Sequence, residues 1–358
     1  MNDVDELKRF VIVHARAQNI VGYQDVLRRI SHDNGDEPGS WAREWSRSAE
    51  LLAGRGRLLE ATRHYSLARF PYVDGPARQQ ALTACTLAFD QWRQADPAIQ
   101  RLDVDLPDGR VRGWATGLSA VDPKPLLVIM GGIVTVKEQW APVLRQVRRL
   151  GMAGIVTEMP GAGENELRYD ANSWRMLSGL LDTVGDQADV TRTYTLAMSF
   201  SGHMALRCAL SDNRIRGIVT AGAPVTEFFT DTAWQRDLPR VTVDTLAHLS
   251  GTKLGDMRDW ALTPTDLSAL DIPVHCAVSL RDEIIPAGDV QQIRRWVRQA
   301  RFLEHDDVHG SPSHVVETRL WSILSLLRMR GGNHPRRAAI AALLGMARLR
   351  RRPARSTS

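Results

Sequence analysis

The chain has 358 residues, 43% of them hydrophobic and 24% charged, with three cysteines and a formal net charge of +5. This composition excludes a disordered, collagen-like or disulfide-stapled chain, and the length accommodates one large α/β domain plus a smaller one. The excess charge sits in Ala347–Arg355, with five arginines and no acid, so a solvated basic tail is expected and nucleic acid is not a predicted partner.

Residues 1 to about 98 read as helical. The acidic start, Met1-Asn-Asp-Val-Asp-Glu6, lacks the apolar run of a signal peptide. Trp41, Trp45, Ala49 and Leu52 fall at i, i+4, i+8 and i+11, one apolar stripe. Ala61, Tyr65 and Ala68 continue it after Gly54 and Gly56, and Ala81 to Trp92 is another helical run. The Trp41–Ala68 stretch is faintly similar to a tetratricopeptide helix pair, but no second copy follows at that period, so no repeat array is predicted.

At about residue 100 the period changes. Leu102–Leu106 alternates, Pro107-Asp108-Gly109 turns, and Val111–Thr116 returns, which is a β-hairpin signal. Leu126–Met130 is continuously apolar and suits a parallel strand buried on both faces. Helix is then predicted over 140–150, 173–184, 200–210, 290–299 and 315–330. Strands are predicted over 153–157, 193–197, 215–221, 274–279 and 301–304. The alternation predicts a doubly wound, mostly parallel α/β sheet. Residues 225–270 are too long for a connection and read as a helical insertion. The expected division is a helical region over 1–98, a core over 99–224 and 271–332 split by the insertion, and a basic tail over 333–358.

Cys85, Cys208 and Cys276 lie in apolar segments without metal-ligand spacing. They read as buried free thiols of a reducing compartment, and a cytoplasmic location is expected. No stretch approaches the roughly 20 apolar residues of a membrane span, so no membrane association is expected.

The most informative segment is Thr193-Tyr-Thr-Leu-Ala-Met-Ser-Phe-Ser-Gly-His203. A β-rich run enters small-x-Ser-x-small and then a helix former, a variant of the nucleophile elbow. Such a turn lifts the Ser199 hydroxyl clear of the backbone at a helix N-terminus, where free N–H groups can stabilise an oxyanion. Downstream, Asp282 follows the 274–279 strand and His309 follows the 301–304 strand. Serine, acid, histidine is the order of an α/β-hydrolase triad. His309 would take the serine proton and Asp282 would hold the imidazole. The backbone N–H of Phe200 and one from Gly131-Gly132-Ile133 would form the oxyanion hole.

Rivals exist for each position. Ser199 could be a plain helix N-cap, Glu283 competes with Asp282, and His305 and His314 compete with His309. Ser201 as nucleophile would put His203 where a small residue is required, and His203 itself reads as packed or pocket-lining. Asp306 and Asp307 read as loop acids, solvated or capping turns.

Four motifs resemble those of one group of α/β-hydrolases, which includes dihydroxypseudooxynicotine hydrolase, the fungal pigment-pathway polyketide-shortening hydrolases and the fermentation–respiration switch proteins. They are the 41–68 helical stretch, Gly131-Gly-Ile-Val-Thr-Val-Lys-Glu138, Glu158-Met-Pro-Gly-Ala-Gly163 and Met198-Ser-Phe-Ser-Gly202. The resemblance covers roughly residues 35 to 330. It implies that the N-terminal helices and the insertion cap the active site, and that the bond cleaved is an ester or a carbon–carbon bond beside a ketone. The chain departs from the group at Glu158 in place of aspartate, at Val134 in place of an acid, and at Ala197 and Ser201 in place of glycines.

The expectation is therefore a serine hydrolase acting on a small-molecule or carrier-bound acyl substrate, an ester, a thioester or a ketone-adjacent carbon–carbon bond. Polyketide or aromatic metabolism is the expected setting, and no cofactor or metal is implied. A cyclase or acyltransferase using the same triad, and a non-catalytic binding protein on a hydrolase scaffold, are the alternatives. The sequence leaves a homodimer open.

Overall fold

The computed structural model describes residues 2–332 and 334–351. Five helices open the chain: α1 (Val4–Ala17), α2 (Tyr23–Arg29), α3 (Trp41–Ala53), α4 (Leu58–Ala68) and α5 (Pro76–Arg93). The Trp41, Trp45, Ala49 stripe is fully buried. Its two tryptophans meet Leu7 and Val11 of α1 and Phe70 in a separate core.

The hairpin β1 (Gln100–Leu106) and β2 (Gly109–Thr116) follows. Then come β3 (Pro125–Met130), α6 (Lys137–Trp140), α7 (Leu144–Arg149), β4 (Ala153–Thr157), α8 (Arg175–Thr183) and β5 (Asp189–Met198). After these come α9 (Phe200–Ser211) and β6 (Ile215–Ala221). The helix expected over 140–150 is interrupted by a 3₁₀ turn at Ala141–Val143, where Pro142 supplies no backbone N–H.

The eight strands form one sheet in the order β1-β2-β4-β3-β5-β6-β7-β8. Here β7 is Val274–Ser279 and β8 is Ala300–His305. From β4 to β8 every pairing is parallel, and β2 joins β4 antiparallel. All six residues of β3 are buried, because the α8 and α9 side chains cover one face of the sheet and those of α5 and α7 the other. This is the α/β-hydrolase architecture expected from the alternation of strand and helix periods.

Between β6 and β7 the chain runs through α10 (Glu227–Thr230), α11 (Thr232–Asp237), α12 (Arg240–Ser250) and α13 (Pro264–Ala269). Val241 of α12 completes the core of the N-terminal helices, and Tyr72 stacks on His248 at 4.3 Å. Phe10 and Val134 pack against both this core and that of the sheet. The start of the segment is held by Asp289, in the first turn of α14 (Ala287–Trp296). This fully buried carboxylate accepts from the N–H groups of Val225 (2.9 Å), Thr226 (2.9 Å), Glu227 (2.6 Å) and Phe228 (3.3 Å).

The C-terminus departs from expectation. After α15 (Val315–Arg330), the stretch read as a tail forms α16 (His334–Arg351). Leu344 of α16 is buried with Trp321 and Leu324 of α15, and Arg348 pairs with Glu317 at 2.6 Å. A helix without acids stays docked because it has an apolar contact and an acceptor to meet. Residue 333 and residues 352–358 of that stretch lie outside the described residues. No helix among the described residues is long and apolar enough to cross a membrane, and the three cysteines are free and buried.

Candidate active site

Ser199 sits between the last residue of β5 and the first of α9, with φ +57° and ψ −128°. A non-glycine residue in this region carries backbone strain of order 1–3 kcal/mol. Three neighbours hold it there. The Ser199 N–H donates to the Ala221 carbonyl at 2.7 Å, and the Gly202 N–H donates to the Ser199 carbonyl at 2.8 Å. The Ser201 hydroxyl donates to the carbonyls of Met130 (3.1 Å) and Met198 (2.9 Å), pinning the ends of β3 and β5. Ser201 is thereby fully buried and committed.

Asp282 follows β7. One of its carboxylate oxygens accepts from the N–H groups of Ile284 (2.9 Å) and Ile285 (2.8 Å). Both oxygens lie 2.9 Å from Nδ1 of His309. Burial favours the neutral imidazole, but the charge and hydrogen bond of Asp282 outweigh it, aided by Glu283, and the His309 pKa is raised. Glu283 faces the backbone and not the ring: its carboxylate accepts the His309 backbone N–H at 2.9 Å and so anchors the loop.

His305, His314 and His203 are occupied elsewhere. His305 ends β8 and lies 3.1 Å from the Thr318 hydroxyl. His314 stacks on His305 at 4.1 Å and reaches Asp307 at 3.2 Å. His203 bonds to the Trp260 carbonyl at 2.8 Å, and burial pushes its pKa down to about 3. Asp307 accepts from the N–H groups of Val308 and Ser313, and Asp306 pairs with Arg281 in solvent.

Among the described residues no hydrogen bond joins Ser199 Oγ to His309. Ser199 is bonded to the Ala221 carbonyl, and the next residue, Gly222, lies against the His309 ring. A Cβ on Gly222, whose φ is +60°, would lie 2.7 Å from the His309 ring and 3.4 Å from Asp282. With Nδ1 turned to Asp282, Nε2 is the ring nitrogen that Asp282 leaves free.

Gly132 lies beside the serine, where a Cβ would come within 3.3 Å of Ser199 Cβ. Phe200 is the first residue of α9, so its N–H is one of the helix's orphan donors. The loop from Gly132 is a turn closed by the Thr135 N–H and hydroxyl on the Gly132 carbonyl, at 3.1 and 2.9 Å, with Ile133 and Val134 at its tip.

Below this loop lies a buried charge cluster that sequence reasoning missed. The ammonium of Lys137 contacts Glu138 (3.0 Å), Glu158 (3.2 Å) and Glu164 (2.6 Å). Burial opposes its charge, yet the three carboxylates win and raise its pKa. Arg69, from the end of α4, also reaches the loop and donates to the Val134 carbonyl. Lys137, Glu138 and Glu158 all stood in recognised motifs, but nothing local in the sequence said that they meet.

The family model for esterase FrsA-like proteins matches residues 36–276 of this chain. Esterase FrsA of Vibrio cholerae is 22% identical over 272 residues, covering 66% of this chain and 65% of that protein. Esterase FrsA of Photorhabdus laumondii is 25% identical over 240 residues, covering 61% and 57%. The chain thus spans about two thirds or less of the length of these curated relatives. The solved structure of wild-type AbyA5 superposes with a TM-score of 0.94 at 52% identity, over 97% of this chain and 100% of that one. That of 2,6-dihydroxy-pseudo-oxynicotine hydrolase gives 0.69 at 17% identity, over 88% and 96%, a likeness of fold.

Proposed function

Because the chain belongs to the esterase FrsA-like family, we propose that it is a serine hydrolase cleaving an ester, a thioester or a ketone-adjacent carbon–carbon bond. The observation that carries this reading is the strained φ of +57° at Ser199, opposite the Asp282–His309 pair. A fold pays such strain where the geometry is used, which argues against a non-catalytic scaffold.

In the proposed reaction Ser199 Oγ attacks the substrate carbonyl while His309 Nε2 takes its proton. The oxyanion is met by the N–H of Phe200 and an N–H of the Gly132-Ile133 pair. Collapse of the tetrahedral adduct expels the leaving group, which receives the proton from His309. Water then repeats the sequence on the acyl-enzyme and frees the acid. Asp282 holds the ring orientation and stabilises the imidazolium throughout. The N-terminal helices and residues 225–270 act together as the cap over this chemistry.

A second reading follows from the low exposure of Ser199, 8%. A covered acyl-enzyme can be captured by a nucleophile of the substrate itself, giving cyclisation or acyl transfer in place of hydrolysis.

Fluorophosphonate labelling of the wild-type chain, with Ser199→Ala as control and short acyl esters as competitors, tests the reading. Labelling at Ser199 with competition by esters is expected; an unlabelled wild type refutes it. The product mass separates the two outcomes, since hydrolysis adds one water and cyclisation adds none.

A further inference from the structure

Helix α1 passes over the loop that carries His309. The Cγ1 methyl of Val13 would lie 3.7 Å from a Cβ on Gly310. The next residue, His14, stands in the last turn of α1. Its ring lies 5.4 Å from that of Phe70 and within electrostatic reach of both Arg69 and His309. Arg69 is in turn bonded to the tip of the Gly132–Thr135 turn, so His14 is within electrostatic reach of both the residue that holds the proposed oxyanion loop and the proposed general base.

His14 differs from His309, whose ring is held by Asp282. Among the described residues neither ring nitrogen of His14 has a hydrogen-bond partner, although the side chain is half-buried. Burial, then the nearby Arg69 and His309, pushes its pKa down to about 4. At neutral pH it is therefore an uncharged imidazole, with one nitrogen that donates and one that accepts. A half-buried polar ring without a protein partner loses hydrogen bonding to water when a ligand covers it, unless the ligand supplies the bond.

Building on the hydrolase reading above, we infer that His14 is a substrate-contacting residue, and that the substrate carries a second oxygen, a hydroxyl or carbonyl, placed to hydrogen-bond its ring. The residue comes from the N-terminal helices, so this region supplies selectivity as well as cover. The contact is neutral to neutral, so it selects among oxygenated and plain substrates without requiring an ionised group.

The test uses three esters of equal size on the full-length chain. Propyl butanoate is the plain reference. Replacing a terminal methyl by hydroxyl gives 2-hydroxyethyl butanoate on the alcohol side and propyl 3-hydroxypropanoate on the acyl side. The wild type is expected to prefer one hydroxylated ester by about tenfold in kcat/KM, the worth of one hydrogen bond. In His14→Phe, which keeps a ring against Phe70, that ratio should collapse towards one. In His14→Gln, which retains a donor and an acceptor, it should be partly restored. Fluorophosphonate labelling reads the serine separately. A wild type that labels but treats the three esters alike overturns this inference and leaves the hydrolase reading standing. A His14→Phe variant that keeps the wild-type ratio overturns it as well. A wild type that does not label removes both.

Discussion

Arg69 donates to the carbonyl oxygen of Val134, joining the end of α4 to the tip of the loop that follows β3. The guanidinium is 1% exposed and also donates to the Pro71 carbonyl at 2.9 Å. Burial lowers its pKa to about 10, leaving it charged at neutral pH, with Glu158 and Glu138 in electrostatic range. The N-terminal helices thus hold part of the proposed oxyanion loop in place, and Arg69 is a positioning residue for it.

Arg69→Met should lower kcat more than it raises KM, by on the order of 10²-fold, the scale of a small misplacement at a reacting centre. Arg69→Lys, which keeps the charge, should recover part of the loss. Steady-state kinetics on one ester with all three proteins checks this; a pure KM effect would contradict the positioning role.

Ser199→Ala should lower turnover by on the order of 10³-fold or more. Ser199→Gly should be equally inactive but more stable than Ser199→Ala by about 1 kcal/mol, because glycine adopts a φ of +57° without strain. Thermal melts of the two variants side by side test the strain directly.

His309→Ala should cost about as much as the serine change, since triad members act as a unit. His314→Ala should cost far less in rate. Its penalty should appear in the melt, because it removes the contact to Asp307 and the stack on His305. Assay of both variants under one condition decides between the two histidines.

In the proposed reaction His309 acts as the neutral base, and its pKa is raised above the ordinary 6.5. The kcat/KM should therefore fall on acidification with a midpoint above pH 6.5, as the ring gains its proton. Glu283→Gln removes one of the charges that raise this pKa while keeping an acceptor for the His309 N–H. Its midpoint should move to lower pH. A pH–rate profile showing the opposite shift would reverse the assigned electrostatics.

Asp289→Ala should leave four N–H groups at residues 225–228 without their acceptor. A loss of about 2–4 kcal/mol is expected for stranding such buried donors. Limited proteolysis should cut first within residues 222–270, before the sheet opens.

The strands, the helices and the order of the candidate site residues were legible in the chain because they rest on local signals. Val111–Thr116, Ile215–Ala221, Val274–Ser279 and Val315–Arg330 announce themselves by periods of two and of 3.6 and by their flanking turns. The small residues Ala197 and Ser201 around Ser199 mark a turn that few other side chains allow. What only the tertiary structure decided is which distant groups meet. Lys137 on Glu158 and Glu164, Asp289 under residues 225–228, Arg69 on the Val134 carbonyl and His14 within electrostatic reach of His309 join segments far apart in the chain. No period relates such pairs, because their contact depends on how the sheet, the insertion and the N-terminal helices pack. The arginine-rich end shows the same limit. Its composition reads as a tail, and it is the pocket beside Trp321 and Leu324 that gives Leu344, and with it α16, a place to dock.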